Sequence, residues 1–305
     1  MDGTRSSATM VAAVSRIGAT VDGKYRLRSL LGVGGMGIVY EAEHLFLGRS
    51  VALKIIHPRY ADTHDAVTRF LHEARAAGTI GHRAIVQVMD AGFVDGTTPY
   101  IVMEKLEGET LADRIVRRNG LRVPQAAMVL RELMRGLGAA HAKGIIHCDL
   151  KPANVLLVGR NIDVGTVKIL DFGVARIASQ QRDRAPEAVM GTQLYMSPEQ
   201  VKGVAVTPAS DLFAAGVVTF EALTGRPPFG GGGKVEVFVH ILRDPAPPLV
   251  GRREPVPDDL AALVSSLLAK SPDDRPASAG DVVRALDAMG IVSGVGPGAS
   301  TATRR

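Results

Sequence analysis

Short apolar runs separated by glycine and polar residues fill the first third of the chain, a pattern that predicts β-strands. Residues 25–30 precede a glycine cluster and residues 38–40 follow it, which predicts two strands joined over a glycine loop. The other segments predicted here are strands at 51–56, 85–89 and 100–103 and a helix at 66–79. Together these segments predict a small, strand-rich region.

Beyond Gly108 the apolar residues recur at spacings of three and four, which is typical of amphipathic helices. One helix is predicted to begin at Pro124, and another to begin after the N-cap Thr207 with Pro208 in its first turn and to end at Thr224. Two further helices are predicted at 260–270 and 279–288. A strand-rich region followed by a larger helical one predicts an α+β fold with a small β-rich lobe and a larger helical lobe.

The two ends of the chain differ in composition from the rest. Residues 1–23 and 290–305 are rich in small and polar residues and predict flexible tails. One continuous domain is therefore predicted at 24–289, with a small lobe at 24–104 and a large lobe at 108–289.

Composition excludes several classes of protein. The 305 residues are 46% hydrophobic and 22% charged, as in globular proteins, and the net charge of +5 is scattered rather than clustered, which argues against a nucleic-acid partner. A membrane-spanning helix needs a run of about 18 apolar residues, and the sequence contains no such run. The one cysteine, Cys148, excludes an internal disulfide, so a reducing, cytoplasmic location is expected.

The segment HCDLKPAN, from His147 to Asn154, carries the strongest chemical signal. Phosphoryl transfer from a nucleotide needs a carboxylate to orient a hydroxyl, which Asp149 offers, and a cation for the moving phosphoryl group, which Lys151 offers. It also needs oxygen ligands for magnesium, which Asn154 and the later Asp171 supply.

A glycine loop at 32–37 matches G-x-G-x-x-G. The same spacing occurs in dinucleotide-binding folds, but there a helix follows, whereas residues 38–40 are β-branched and aromatic and predict a strand. A flap over phosphates fits better, because a Cβ would hold the backbone away from the phosphate oxygens. An ordinary glycine-rich hairpin is the alternative.

Lys54 lies in the third predicted strand, and Glu73 in the following helix is its candidate partner. A strand lysine held by a helix glutamate can contact the α- and β-phosphates of a nucleotide. The alternative is a solvated surface pair of little energetic value. The apolar neighbours of Lys54 argue against that alternative.

These segments resemble the eukaryotic-type (Hanks-type) serine/threonine protein kinases, and most closely their bacterial branch, over residues 25 to about 289. The matching segments are GVGGMGIVY, VALK, Glu73, HCDLKPAN, DFG, GTQLYMSPEQ, Asp211 with Gly216, and DDRP at 273–276. The resemblance implies the two-lobed protein kinase fold, with ATP and Mg²⁺ as cofactors and Mn²⁺ as an alternative metal ion.

The resemblance also implies a role for individual residues. Lys54 and Glu73 would act with Asp149 and Lys151 in catalysis. The implied metal ligands are Asn154 and Asp171. The implied ATP-binding positions are Leu31, Gly32, Val33, Gly34, Gly35, Met36, Gly37, Val39, Ala52, Lys54, Met103, Glu104, Leu106 and Leu156.

Within that set the resemblance places Val39 and Ala52 above the adenine and Leu156 below it. Met103 would be the gatekeeper, and the backbone of Glu104 and Leu106 would hydrogen-bond the purine. Two further roles are implied outside the nucleotide site. Glu199 and Arg275 would form a buried ion pair beneath the substrate-docking segment. Asp211 would hold the catalytic-loop backbone, a role compatible with its favourable place near a helix N-terminus.

Two departures from the family pattern concern regulation and specificity. Cys148 replaces an arginine that, in the family, pairs with a phosphorylated activation-loop residue, and a thiol carries no charge to receive a phosphate. Within 174–190 the only hydroxyl belongs to Ser179. The hypothesis is that activity does not require activation-loop phosphorylation. Gln193 replaces a common proline, so substrate preference does not carry over from relatives.

The expected function is an ATP-dependent kinase in cytoplasmic signalling that acts on hydroxyls of protein substrates. The resemblance implies serine and threonine as acceptors, because tyrosine-directed members of the family place the cation further along the chain than Lys151, which follows Asp149 by two residues. The main alternative is a pseudokinase that binds a nucleotide as a scaffold. A small-molecule kinase is a third reading, disfavoured by the docking segment GTQLYMSPEQ. A homodimer is a possible further partner state, and no sequence feature indicates it.

Overall fold

The computed structural model describes residues 10–11, 13–159, 166–172, 176–177 and 192–291. The chain divides into two compact units. The first unit takes Met1–Gly108 and Leu170–Ala175, and the second takes Glu109–Ile169 and Arg176–Arg305. The short segment that contains Asp171 therefore packs with the first unit, although it comes late in the chain.

An antiparallel sheet forms most of the first unit, with strand order β1-β2-β3-β4-β6-β5 in the described ranges. Its strands are β1 (Thr20–Val21), β2 (Tyr25–Val33), β3 (Gly37–His44), β4 (Arg49–Ile56), β5 (Val88–Val94) and β6 (Thr98–Glu104). The predicted hairpin over the glycine loop is confirmed as β2 and β3. One face packs on a core that contains Tyr25, Leu27, Tyr40, Leu53 and Tyr100.

Two helices follow β4, namely α1 (Pro58–Ala61) and α2 (His64–Ile80). The predicted helix at 66–79 is confirmed as α2, which buries Phe70, Ala74 and Ala77 along one face. Gly81 ends it in the left-handed conformation with φ 64°, which glycine adopts without steric cost. Glu73 lies on the same buried face, so this helix carries a carboxylate into the core of the unit.

The strand predicted at 85–89 is wrong in its position, because the observed strand β5 runs from Val88 to Val94. Ile85 and Val86 are buried just before it, and Ile85 forms only an isolated β-bridge. Their burial, more than regular strand pairing, explains the apolar run. A short apolar run alone does not separate a strand from a buried turn.

The flexible tail predicted at 1–23 is wrong for its described part from Ala13 onward. Ala13 is fully buried in the sheet core, and its carbonyl accepts a hydrogen bond from the Tyr40 hydroxyl at 3.1 Å. Strand β1 pairs with β2, and the Gly18 N–H donates to the Leu27 carbonyl at 2.8 Å. Isolated small apolar residues in a polar segment produce no periodic signal, so the sequence does not reveal this packing. Residues 1–9 lie outside the described ranges.

Helices dominate the second unit. They are α3 (Leu111–Arg118), α4 (Val123–His141), α5 (Pro198–Lys202), α6 (Pro208–Thr224), α7 (Lys234–Arg243), α8 (Asp258–Leu267) and α9 (Ala279–Ala288). Short 3-10 turns lie at Pro152–Asn154, Thr192–Tyr195 and Pro272–Asp274. The strands are β7 (Gly108–Thr110), β8 (Ile145–Ile146), β9 (Val155–Val158), β10 (Thr166–Ile169) and β11 (Arg176–Ile177), paired in the orders β10-β9-β7 and β11-β8.

Helix α6 is the buried core helix of this unit, with most of its residues inaccessible. The predicted N-cap Thr207 and C-terminus Thr224 are confirmed, and Gly225 ends the helix at φ 76°. A Cβ at Gly216 would lie 2.8 Å from the Leu267 Cβ, so this glycine lets α6 and α8 approach closely. A helix that is apolar all round must be covered on every side.

Two of the remaining helix predictions differ in accuracy. The helix at 279–288 is confirmed as α9. The helix predicted at 260–270 begins earlier, at Asp258, and ends at Leu267. Its first turn is acidic, which suits a helix N-terminus but lies outside the apolar pattern that located the helix. The structure describes the C-terminal tail only as far as residue 291, so the prediction for 290–305 lies almost entirely outside the described ranges.

Within the described residues, no helix combines the length and the apolar character that crossing a bilayer requires.

Candidate active site

The first unit brings Lys54, Glu73 and Asp171 together. The Lys54 Nζ donates to Glu73 Oε1 and to Asp171 Oδ1, each at 2.8 Å. Lys54 is only 5% exposed and Glu73 only 6%, so the alternative of a solvated surface pair is wrong. Strand alternation explains the placement, because Lys54 lies opposite Val39 on β3 and Ile101 on β6.

Burial and neighbouring charges shift the pKa values of Lys54 and Glu73 in opposite directions. Burial lowers the pKa of the Lys54 ammonium, but the negative charges of Asp171 and Glu73 outweigh burial and hold that pKa above its ordinary value. Burial raises the pKa of the Glu73 carboxyl, and the charge of Lys54 opposes that rise. Lys54 is therefore a fixed cation at neutral pH. Glu73 Oε2 is buried with no hydrogen-bond partner in the described part of the chain.

Asp171 differs from its two partners in exposure and backbone conformation. Its side chain is 46% exposed, so one side of the carboxylate remains accessible. Its φ is 46°, in the left-handed region that non-glycine residues rarely adopt. The next residue, Phe172, is buried and anchors the segment in the first unit. Strained backbone of this kind is common where a side chain must be aimed for function.

The glycine loop joins β2 to β3 through residues 34–36, and the Gly34 N–H donates to the Gly37 carbonyl at 2.9 Å. At Gly37 a Cβ would lie 2.6 Å from the Ile55 carbonyl oxygen, so a side chain is excluded there by packing. At Gly32 a Cβ would contact nothing within 4 Å. The two glycines thus have different roles: Gly37 allows close strand packing, and Gly32 leaves open space above the loop.

The other predicted nucleotide positions of the first unit lie along β2, β3, β4 and β6. Ala52 pairs with Met103, so both project on the same side of the sheet as Val39 and Lys54. Leu31 and Val33 are partly exposed at the end of β2, and Met36 packs partly buried beside the loop. Gly35 offers its carbonyl to Arg59 at 3.1 Å.

The backbone N–H groups at the end of β6 and just after it differ in whether they are already hydrogen-bonded. The Glu104 N–H donates to the Gln87 carbonyl at 3.0 Å and is therefore occupied. The Leu106 N–H makes no hydrogen bond within the described residues. Between them, Lys105 donates to Glu41 at 2.7 Å and ties this segment to β3. Hydrogen bonds from Lys105, Ser50 and Ser29 lower the pKa of Glu41 to about 2, so this ion pair is intact at neutral pH.

The second unit brings Asp149, Lys151 and Asn154 together on the loop 147–154, which corresponds to the catalytic loop implied by the resemblance. Asp149 Oδ2 accepts from Lys151 Nζ at 2.8 Å and from Asn154 Nδ2 at 3.1 Å. The Asn154 amide also donates to the Asp149 carbonyl at 2.9 Å, so its nitrogen is used within the loop. Asp149 Oδ1 is buried and has no hydrogen-bond partner in the described part of the chain. One carboxylate oxygen is thus positioned by the loop, and the other has no partner among the described residues.

The backbone of this loop is held by Asp211 from helix α6. Asp211 accepts from the N–H groups of His147 and Cys148, both at 2.9 Å, and contacts His141 Nε2 at 2.8 Å. Cys148 has φ 63°, a strained conformation for a non-glycine residue. The predicted role of Asp211 matches this geometry, and an isolated helix-terminus effect does not account for its three partners.

Gln200 is a positioning residue that the sequence analysis missed. Its Nε2 donates to the Cys148 carbonyl at 2.8 Å, so this strained residue is held at both its N–H and its carbonyl. Its Oε1 accepts from the Ser197 N–H at 3.0 Å, in a capping box at the start of α5. Ser followed three residues later by Gln is the sequence signal of such a box, but it does not reveal the bond to the catalytic loop.

The predicted pair of Glu199 and Arg275 is buried and bidentate, with N–O distances of 2.8 and 2.9 Å. Ser210 also donates to Glu199 at 2.6 Å. Burial raises the pKa of Glu199, but the hydrogen bonds from Arg275 and Ser210 outweigh burial and leave that pKa below its ordinary value. The pair links α5 to the segment before α9.

Other predicted positions are less informative or lie outside the described ranges. Leu156 is partly buried on β9 in the second unit. Residues 173–175 and 178–190, with Ser179, lie outside the described residues. Among the described residues, no group of three or more histidine, cysteine or carboxylate side chains could hold a metal ion. Magnesium usually takes only one or two protein carboxylates and completes its shell with phosphates and water.

Comparison with known proteins agrees with this geometry. Residues 25–285 match the protein kinase domain family. The chain is 37% identical over 278 residues to the serine/threonine-protein kinase PknA of Mycobacterium tuberculosis, covering 90% of this chain and 63% of the relative. It is 40% identical over 266 residues to PknB of the same organism, covering 85% of this chain and 42% of the relative. The chain thus spans less than two thirds of each relative. The chain belongs to the protein kinase family, as a eukaryotic-type (Hanks-type) member similar to bacterial serine/threonine kinases.

Proposed function

We propose that this chain is an ATP-dependent serine/threonine protein kinase that transfers the γ-phosphoryl group to protein hydroxyls. The observation that carries the proposal is the Asp149 carboxylate, which Lys151 and Asn154 hold by one oxygen while the other has no partner in the described residues. A substrate hydroxyl that donates to Oδ1 would be oriented for attack, and Asp149 would take its proton.

Lys151 and Lys54 supply the positive charge that this reaction needs. Lys151 is held beside Asp149 by a hydrogen bond and would balance the charge of the phosphoryl group during transfer. Lys54 is held as a cation by Glu73 and would contact the α- and β-phosphates of ATP. Gly32 leaves room for those phosphates beside the glycine loop.

Asn154 and Asp171 fit magnesium in chemical type. The Asn154 amide nitrogen is used on Asp149, which leaves its oxygen as a ligand, and half of the Asp171 carboxylate is accessible. Carboxylate and amide oxygens are hard ligands of the kind that Mg²⁺ prefers, and Mn²⁺ accepts the same set. When bound, the metal ion would neutralise phosphate charge. The free N–H of Leu106 and the carbonyl of Glu104 would hydrogen-bond the adenine.

Asp149→Asn tests the proposal. The variant keeps the hydrogen bonds to one oxygen but removes the proton acceptor, so incorporation of labelled phosphate into a generic basic protein should fall at least about 10²-fold. Asp258→Asn, at an exposed helix start, is the matched control and should keep full incorporation. Circular dichroism and melting temperature establish that both variants fold.

The alternative, a nucleotide-binding pseudokinase, predicts a different outcome. Mg²⁺–ATP would raise the melting temperature of the native chain. Labelled phosphate would then appear in no protein acceptor, and the proposed activity would be rejected.

We also propose that activity does not depend on phosphorylation of the activation loop. Cys148 carries no charge to receive a phosphate, and its peptide is held instead by Asp211 and Gln200. Phosphatase treatment of the purified chain should leave its rate within about twofold. A fall of about tenfold, or 1.4 kcal/mol in activation free energy, would contradict this proposal.

The cytoplasm is the proposed location, since a single cysteine without a possible internal disulfide suits a reducing compartment. Serine and threonine residues of cytoplasmic proteins are the proposed substrates.

A further inference from the structure

A groove of about 1100 Å³ lies in the second unit, and apart from Gln193 and Leu194 of the docking segment its lining residues have been given no role above. It is enclosed by the 3-10 turn Thr192–Tyr195, the end of α6, helix α7 and the loops 225–233 and 244–257. We call it the arginine groove and define it by Gln193, Leu194, Phe220, Arg226, Val237 and Arg252. A volume of this size accommodates several side chains of an extended peptide.

The charged side chains that line the groove are all positive. Arg226 and Arg252 line it, both side chains are exposed, and neither has an ion pair in the described part of the chain. No aspartate or glutamate is among its lining residues. Four prolines in the wall, at 227–228 and 247–248, lack an N–H donor, so the arginines are the charged donors that a ligand would meet.

The walls are held in place by packing and hydrogen bonds, so the groove is preformed. Phe229 is buried and stacks on Phe213 at 5.9 Å, with the Lys270 ammonium 3.8 Å from the ring centre of Phe229. The Arg252 N–H donates to the Leu223 carbonyl at 2.9 Å, which anchors the second loop on α6. Preformed walls reduce the entropy lost when a peptide binds.

One end of the groove begins beside the catalytic loop. Lys151 Nζ, which holds Asp149, also donates to Thr192 Oγ1 at 3.0 Å. The next two residues along the chain, Gln193 and Leu194, already line the groove. A polypeptide with its hydroxyl at Asp149 would therefore reach the groove within a few residues, since an extended chain covers about 3.3–3.6 Å per residue.

We propose that the arginine groove binds an acidic stretch of the protein substrate, with Arg226 and Arg252 contacting aspartate or glutamate side chains a few residues from the phosphorylated hydroxyl. This inference rests on the proposed kinase function and adds a substrate class to it. The groove supplies affinity and specificity, and the chemistry stays at Asp149.

Three synthetic peptides with one threonine acceptor test the inference: a neutral peptide, one with four aspartates before the threonine and one with four after it. At least one acidic peptide should have a KM about five- to tenfold below that of the neutral peptide, with a similar kcat. Raising the salt concentration should remove that advantage, because exposed charges are screened.

The double variant Arg226→Gln, Arg252→Gln should raise the KM of the preferred acidic peptide to that of the neutral one and leave the neutral peptide unaffected. The double variant Arg243→Gln, Arg253→Gln is the matched control, since both arginines are exposed near the groove without lining it and the net charge changes equally. Equal use of all three peptides by the native chain, or equal effects of the two double variants, would overturn the inference.

Fluorescence anisotropy with fluorescein-labelled acidic peptides separates this inference from the proposed function. If no peptide is phosphorylated, the proposed activity fails. Binding by the native chain that is lost only in the Arg226→Gln, Arg252→Gln variant would still support the groove. Absence of binding at low salt would reject it.

Discussion

Single side chains at this site are positioned by partners that are distant in sequence. Cys148 and Asp171 both adopt a positive φ, and each is fixed by contacts with other segments: Cys148 by Asp211 and Gln200, and Asp171 by Lys54. A strained residue persists only where its surroundings determine it fully. The motif residues were predictable because their chemistry is specific, but Gln200 was missed because its partner is a backbone carbonyl 52 residues away.

The buried pair of Glu199 and Arg275 predicts a pH-dependent contribution to stability. The folded-state pKa of Glu199 lies below its unfolded value of 4.5, so the stability that it contributes is present above about pH 4.5 and is lost as the pH falls through the folded pKa. Glu199→Gln should lower the free energy of unfolding by about 3 kcal/mol at pH 7. Urea unfolding at pH 7 and at several values below 4.5 measures the difference from the native chain, which should shrink with acidity.

A constant difference between the two proteins from pH 7 to pH 3 would contradict this prediction. Asp258→Asn is again the control, because its exposed carboxylate should change stability little at any pH.

At the scale of elements, sequence periodicity located helices better than strands. Helix α9 was predicted within a residue, and α6 was predicted from its N-cap Thr207 and its terminus at Thr224. The strand at 85–89 was misplaced because Ile85 and Val86 are buried before the strand begins, with only an isolated β-bridge at Ile85. Capping depends on neighbouring residues and is visible locally, whereas strand pairing depends on a partner elsewhere in the chain.

Helix α5 allows the positioning role of Gln200 to be separated from its capping role. Gln200→Ala removes both the capping box and the bond to the Cys148 carbonyl, whereas Ser197→Ala removes the hydroxyl cap alone. We expect Gln200→Ala to lower kcat about tenfold with the KM for ATP within twofold. Ser197→Ala should cost about 1 kcal/mol of stability and leave kcat unchanged.

Steady-state kinetics with melting temperatures distinguishes the two effects. Equal kcat in both variants would show that Gln200 acts only on helix stability. Gln200→Asn, which keeps the amide but shortens the chain, should give an intermediate rate.

At the scale of the whole molecule, each unit has its own buried core and its own part of the proposed catalytic residues. The first carries Lys54, Glu73 and Asp171, and the second carries Asp149 with Lys151. The N-terminal segment belongs to the first core, because Ala13 is fully buried and bonded to Tyr40. The boundary of the folded region is therefore earlier than the composition of the chain predicted.

Ala13 and Val11 provide a matched test of this boundary. Ala13→Asp would bury an unpaired charge and should lower stability by at least about 2 kcal/mol, or roughly 4–8 °C in melting temperature. Val11→Asp changes a side chain that is 68% exposed and should have little effect. Equal melting temperatures for the two variants would mean that Ala13 does not contribute to the core.

The sequence by itself identified the family and predicted the chemistry, because phosphoryl transfer restricts residue type at a few positions and their order along the chain is specific. Tertiary structure decided three other features. Asp211 and Gln200 bind the N–H and the carbonyl of Cys148, Ala13 lies inside the core, and Arg226 and Arg252 line one groove. The physical reason is that each of these features depends on atoms brought together across long sequence separations. Local periodicity and motif spacing contain no information about such contacts.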